Sequence, residues 1–207
     1  GTIESVSLTY HHENILSLSG AHVSVGKLID VLSSASSSDD IALLKSTLGG
    51  DDYISGSRYG DYINAYGGND TLLGRDGSDK IRGGTGNDRL IGGAGSDDLH
   101  GDDGKDIFTF KSVRDSKAAG ADTIYDFSSR DGDRIDLSEI DANEKTDGNQ
   151  AFKFIGDHAF HHKAGELRFE RSGGDTWVYG DTDGDGNADL AIHLNGHPGL
   201  KGGSFDL

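Results

Sequence analysis

Seven aspartates stand nine residues apart: Asp52, Asp61, Asp70, Asp79, Asp88, Asp97 and Asp106. Two residues after each comes a large apolar side chain: Ile54, Ile63, Leu72, Ile81, Leu90, Leu99 and Phe108. The frame runs without a slip from Thr47 to Thr109, and its regular form is G-G-x-G-x-D-x-U-x, with U apolar. Carboxylates set in glycine-rich backbone offer two kinds of hard oxygen donor, side-chain and carbonyl. Such donors select Ca²⁺ over softer transition ions. A flexible Gly/Asp linker has no reason to keep an aspartate and an apolar residue in phase through every unit.

The elements that must hold these carboxylates follow from the same frame. The glycine-rich half of a unit turns the chain, because glycine reaches backbone conformations closed to other residues. The x-U-x half is a very short strand with its apolar side chain pointing inward. Two units complete one turn of a flattened spiral, so equivalent positions on one edge lie eighteen residues apart. This predicts Asp70 facing Asp88, Asp79 facing Asp97 and Asp88 facing Asp106, with an ion in each gap. Asp52–Asp70 and Asp61–Asp79 follow the same rule at the less regular start.

Residues 47–109 resemble the RTX repeats of bacterial proteins secreted by type I systems. In that family a site takes the carbonyls of positions one and three and the position-six Asp from one turn. It takes the carbonyls of positions two and four and the next Asp from the adjacent turn. For the gap between 83–88 and 101–106 the resemblance implies Gly83, Thr85, Asp88, Asp102, Gly104 and Asp106. Elsewhere it implies ligand positions at Gly67, Gly74, Asp76, Gly84, Gly86, Gly92, Gly93, Ala94, Gly95, Gly101 and Asp103 beside the carboxylates, and none at Ala65. The first units depart from the pattern: Thr47 and Leu48 replace the leading glycines, and Tyr59 stands at the fourth position.

Beyond Thr109 the frame fades. Asp115 lies eighteen residues after Asp97, and Asp122 two residues short of the equivalent point after Asp106. Both are expected to close the last sites, one on each edge. The run GADTIYDFSSRDGDRIDLSEIDAN (120–143) and AGELRF (164–169) resemble the C-terminal domain of serralysin-type secreted metalloproteases. That resemblance implies extended strands packed into a sandwich. Phe152, Phe154, Leu167, Phe169, Trp177, Tyr179, Leu190, Ile192 and Leu194 are expected to fill its core. Asp126, Asp131, Asp133 and Asp136 read as turn and strand-end residues.

DTDGDGNAD (181–189) matches the first nine residues of an EF-hand loop, but Ile192 replaces the closing glutamate. It is either an open calcium loop using Asp181, Asp183, Asp185, Asn187 and Asp189, or a polar hairpin turn. His158, His161, His162 and Glu166 read as a hydrated loop rather than a zinc site, for want of a second ligand cluster. His11-His12-Glu13 lacks the helical H-E-x-x-H spacing and reads as a polar turn. In residues 1–46, alternation predicts strands near 3–10, 14–19 and 21–24. Helices are expected after Ser24 and after Asp39 or Asp40. This cap covers the open end of the spiral.

The chain has 207 residues, a formal net charge of −17 and no cysteine. Disulfides and thiolate metal sites are excluded. The charge argues against nucleic acid and anionic membranes as partners. No apolar run is long enough for membrane insertion, and no signal-peptide pattern is visible. No nucleophile elbow or P-loop marks a catalytic centre.

The expected fold is all-β: a parallel β-roll, a C-terminal sandwich-like extension and a small mixed strand/helix cap. The boundaries are 1–46, 47–121 and 122–207. The expected function is a secreted module that folds on several Ca²⁺ ions outside the cell and serves export of a larger protein by the type I apparatus, any catalysis lying in an attached domain. The closing SFDL fits an export signal of that pathway. The alternative is a module for adhesion or extracellular polysaccharide, with Arg58, Tyr59, Tyr66 and Arg75 as its candidate stripe. In the resemblance, similar rolls accompany mannuronan C-5 epimerases.

Overall fold

The computed structural model describes residues 2–10, 13–24 and 48–207. Sixteen strands in the described residues form two facing eight-stranded sheets. The first unit pair opens with β3 (Tyr53–Ser55) and β4 (Tyr62–Asn64). Four six-residue rungs follow: β5 (Thr71–Asp76), β6 (Lys80–Thr85), β7 (Arg89–Ala94) and β8 (Asp98–Asp103). These are longer than the expected x-U-x strands, because pairing carries on through the leading glycines into position three. The last repeat strand is β9 (Ile107–Thr109).

Odd and even rungs fall into different sheets, as two units per turn require. In the first sheet β3, β5, β7 and β9 pair in parallel, and in the second β4, β6 and β8 do so. Register places the inward side chains in two columns. One runs Ile54, Leu72, Leu90 and Phe108, the other Ile63, Ile81 and Leu99.

Both columns continue past the repeats. β11 (Arg134–Asp136) pairs with β9 and β16 (Phe205–Asp206) pairs with β11, which adds Ile135 and Phe205 to the first column. β10 (Asp122–Ile124) pairs with β8 and with β15 (Leu190–Leu194), which adds Ile124 and Leu194 to the second. No side chain in either column is more than 4% exposed. The second sheet then turns antiparallel through β14 (Asp175–Asp181) and β13 (Glu166–Ser172), with β12 (Lys153–Phe154) beside β13. The expected sandwich is therefore the two roll sheets prolonged.

Two expectations about side chains change. Trp177 and Tyr179 do not enter the core. β14 alternates, and its inward residues are Thr176, Val178 and Gly180, all buried. At the other end, β1 (Thr2–Tyr10) and β2 (Glu13–Ser24) form an antiparallel hairpin, and β2 pairs with β3. The two strands expected near 14–19 and 21–24 are thus one. The helices expected after Ser24 and Asp39, and the turn at His11 and His12, lie outside the described residues. No α-helix occurs among the described residues, and no helix there is long and apolar enough to cross a membrane.

Candidate metal centre

Each position-six aspartate starts a rung, and its carboxylate reaches back to the turn before. The Asp52 N–H donates to Asp70 Oδ1 at 2.8 Å, and the Asp70 N–H to Asp88 Oδ1 at 2.8 Å. Asp88 donates likewise to Asp106 at 2.9 Å. On the other edge Asp61 donates to Asp79 at 2.7 Å and Asp79 to Asp97 at 2.8 Å. Each pair is eighteen residues apart, the expected stacking.

One oxygen of each carboxylate is thereby used. The second, Oδ2, is buried with no hydrogen-bond partner in Asp70, Asp79, Asp88, Asp97, Asp106 and Asp122. In Asp79, Asp88, Asp97 and Asp106 it points over the leading glycine of its own unit. A Cβ built on Gly74 would lie 2.1 Å from Asp79 Oδ2 and 2.5 Å from the carbonyl oxygen of Gly92 on the next turn. Built on Gly83, Gly92 or Gly101, it would meet Asp88, Asp97 or Asp106 Oδ2 at 2.1–2.3 Å. Only glycine leaves that space open. A carboxylate oxygen and a carbonyl oxygen turned toward one small gap form a donor set for a hard cation, with no proton donor to satisfy them.

Positions two and four serve the stacking itself. A Cβ on Gly86, Gly95 or Gly104 would lie 1.5–1.8 Å from the carbonyl oxygen of the fourth residue one turn back. At position two, Gly84 and Gly93 have positive φ, and Tyr66, Arg75 and Asp102 adopt the same left-handed backbone at φ 65–85°. The position-three carbonyls of Thr85, Ala94 and Asp103 accept the N–H of Gly68, Gly77 and Gly86. Gly67 bridges to Thr85, and Asp76 ends β5 opposite Ala94.

Electrostatics match this enclosure. Burial pushes Asp70 and Asp106 up to about 7, against the opposing pull of a backbone N–H. Burial likewise raises Asp79, Asp88 and Asp97 to about 6. Asp122 is pushed up to about 9, by burial first and by the charge of Asp97 second.

The ends of the row differ from expectation. Asp122 does not follow Asp106. It accepts the Asp97 N–H at 2.9 Å and so closes the other edge. Asp133, read as a turn residue, accepts the Asp106 N–H at 3.0 Å and takes the place intended for Asp122. Asp115 is left out of the ladder and caps a turn at the N–H groups of Lys111 and Ser112. The inserted loops before β10 and β11 change the spacing from eighteen residues to 25 and 27, which no fixed period finds. At the start, Asp61 Oδ2 is satisfied by the backbone N–H and hydroxyl of Ser57, unlike its successors.

The 181–189 segment is the hairpin joining β14 to β15. Asp181 is fully buried and accepts the N–H groups of Gly184 and Gly186. Asp189 accepts from Thr182, and Asp185 from Asn187. One oxygen each of Asp181, Asp183 and Asp185 still lies within 4.8 Å of the others. In the histidine segment, His161 hydrogen-bonds the buried Glu166 through its backbone N–H at 2.7 Å and its ring at 3.0 Å. His158 and His162 each bond a backbone carbonyl. The stripe expected at Arg58, Tyr59, Tyr66 and Arg75 is split. Arg58, Tyr59 and Arg75 belong to one edge, and Tyr66, eighteen residues before Gly84, belongs to the other.

The family model described as Peptidase M10 serralysin C terminal matches residues 5–202. The chain belongs to that family. It is a calcium-binding RTX repeat domain built as a parallel β-roll, and it corresponds to the C-terminal repeat part of a serralysin rather than the catalytic part. Among solved structures, the chain is similar to the AlgE6R2 subunit of the mannuronan C5-epimerase from Azotobacter vinelandii, at 26% identity and TM-score 0.44, over 73% of this chain and 89% of that one. It is also similar to the AlgE6R3 subunit from the same enzyme, at 26% identity and TM-score 0.36, over 75% of this chain and 77% of that one. No curated protein matches.

Proposed function

We propose that calcium is the folding switch of this chain, and that the chain is the folding and export module of a larger extracellular protein. The observation that carries this reading is the series of buried Oδ2 atoms without a partner in Asp70, Asp79, Asp88, Asp97, Asp106 and Asp122. Stacked carboxylates repel one another and are desolvated, and two apolar columns are a thin counterweight. A cation between turns reverses the sign of that interaction. Binding energy is then folding energy.

The carboxylates and neighbouring carbonyls named above are the proposed ligands, and Ca²⁺ fits them better than zinc because no imidazole or thiolate enters the row. The parts 1–46, 47–121 and 122–207 act as cap, calcium-driven roll and terminating sandwich. The chain itself has no catalytic role. Family membership supports the type I route to the outside. A chain that needs calcium stays unfolded where free calcium is low, as a narrow export channel requires, and folds on arrival.

Circular dichroism of the chain in chelator and then in rising calcium tests the switch. Extracellular calcium modules typically bind at about 10⁻⁴–10⁻³ M. β-structure is expected to appear in that range, and equal β content with and without calcium would overturn the reading.

A further inference from the structure

One group of metal-binding side chains lies outside the calcium row. His100 and Asp102 stand on β8 and Asp126 just after β10, and one ligand atom from each lies within 4.8 Å of the other two. Leu99 points into the core at 1% exposure, so its neighbour His100 points outward, where its ring stacks on Tyr125 at 4.7 Å. The group joins the last six-residue rung of the repeats to β10, the strand that pairs with it from the extension.

Two of the three side chains are already held. Asp126 accepts the Gly101 N–H on Oδ1 at 3.0 Å and the Asp102 N–H on Oδ2 at 2.9 Å. Asp102 is gripped by Arg82, whose Nη2 donates to Oδ1 at 2.6 Å and whose Nε donates to Oδ2 at 3.1 Å. Each carboxylate oxygen keeps a further lone pair, so these contacts orient the ligands without using them up. His100 is different. It is half-buried, and neither ring nitrogen makes a hydrogen bond among the described residues. Its Nδ1 stands 3.9 Å from Asp126 Oδ2, too far for a hydrogen bond. Two ligand atoms on a tetrahedral zinc stand about 3.4 Å apart. The gap is nearer the width of a shared metal ion than that of a hydrogen bond.

The donor set differs from that of the row. An imidazole nitrogen with two carboxylates suits a borderline divalent ion, whereas calcium takes six to eight oxygens. With Arg82 set against the two carboxylates, one negative charge is left for a dication to meet.

We propose that His100, Asp102 and Asp126 bind one divalent ion of the zinc class, which staples the last long rung of the roll to the extension. The site is separate from the calcium row. It uses the side chain of Asp102, whereas the RTX resemblance implies only the backbone carbonyl of that residue for calcium. It rests on the calcium-folded roll proposed above, because β8 supplies two of the three ligands.

Calorimetric titration of the full chain in saturating calcium with zinc, and with cobalt(II) as a coloured probe, tests the site. One zinc per chain is expected at this site, and visible cobalt bands that zinc abolishes. His100→Phe keeps a ring against Tyr125 and removes the ligand nitrogen. Asp102→Asn keeps a residue type that tolerates the φ of 65° found there. Each should weaken zinc binding at least as much as loss of an outer-shell partner does, about tenfold or more. His158→Ala, in the other histidine segment, should leave it unchanged. Zinc should also slow hydrogen exchange at the Gly101 and Asp102 N–H groups. Zinc binding that survives both His100→Phe and Asp102→Asn overturns the site, and loss of zinc to excess calcium overturns the metal class. A chain that circular dichroism shows to fold on calcium yet binds no zinc overturns this proposal and leaves the folding switch standing. Equal β content with and without calcium strikes the switch and leaves the zinc titration valid.

Discussion

A carboxylate oxygen shut away from water and from every hydrogen donor needs a cation or a proton. The buried Oδ2 atoms of the row can be satisfied by either, and this sets a pH dependence. Folded-state pKa values of about 6 to 7 for Asp70, Asp79, Asp88, Asp97 and Asp106 lie above the usual carboxylate value. The folded chain therefore holds protons that the unfolded chain has released, and metal-free stability falls as pH rises from about 4 to about 7. Asp122, at about 9, extends the loss upward. In chelator, β content is expected to be higher near pH 5 than near pH 8, and calcium binding near neutrality is expected to release protons. A rise of metal-free β content with pH would contradict the burial of this row. Glycine makes a second prediction at the same scale. A Cβ on Gly86, at φ 130°, would lie 1.8 Å from the Gly68 carbonyl oxygen, while one on Gly50 meets nothing within 4 Å. Gly86→Ala should cost about 2 kcal/mol or more of calcium-loaded stability and Gly50→Ala little, as read by denaturant titration.

Between turns the elements are coupled through shared carboxylates. Asp88 takes the Asp70 N–H and gives its own to Asp106, so it stands between two gaps. Asp52 stands at the first turn. Asp88→Ala is expected to raise the calcium midpoint clearly more than Asp52→Ala, because it interrupts the stack in its middle. Equal shifts would show that gaps fill independently. The last rung offers a sharper comparison. Asp133 is hydrogen-bonded to Asp106, whereas Asp115 only caps a turn. Asp133→Ala should shift the midpoint and Asp115→Ala should leave the repeat region unmoved. Beside the acidic row, Asn69 and Asn87 form a second ladder between Asp51 and Lys105, in which each side-chain oxygen accepts the N–H one turn on. It ties successive turns of one edge without any metal.

Across the whole molecule the roll and the sandwich are one pair of sheets. Phe108 and Leu99 are covered by Ile135 and Ile124, and Phe205 seals the first column, 5.0 Å from the Phe154 ring. Arg89 bonds Asp136 at 2.9 Å across that junction. Removing everything after residue 119 would expose both columns and remove Asp122 and Asp133 together. Such a fragment is expected to show no hydrogen-exchange protection over 74–109 even in saturating calcium. Strong protection there would mean that the repeats close by themselves, without the C-terminal strands.

The sequence alone determined the roll. A period of nine, with Asp and an apolar residue in phase, is a local code: each unit carries its own turn, rung and ligand, so rung, register and the stacking of Asp70 on Asp88 can be read without knowing what lies elsewhere. The resemblance in 120–143 extended this to the family. What only the tertiary structure decided begins where the period ends. Asp133 rather than Asp122 follows Asp106, because loops of unequal length lie between them and their ends are brought together by strand pairing, not by count. Apolar character alone places Trp177 and Tyr179 in the core, but a strand has two faces, and the partners β13 and β15 set the parity of β14. The outer row Tyr62, Lys80, Asp98, Thr123, His193 and Trp177, in register across six strands of the second sheet, is invisible in the sequence for the same reason. Its members are scattered over more than a hundred residues of chain and become neighbours only when six strands align.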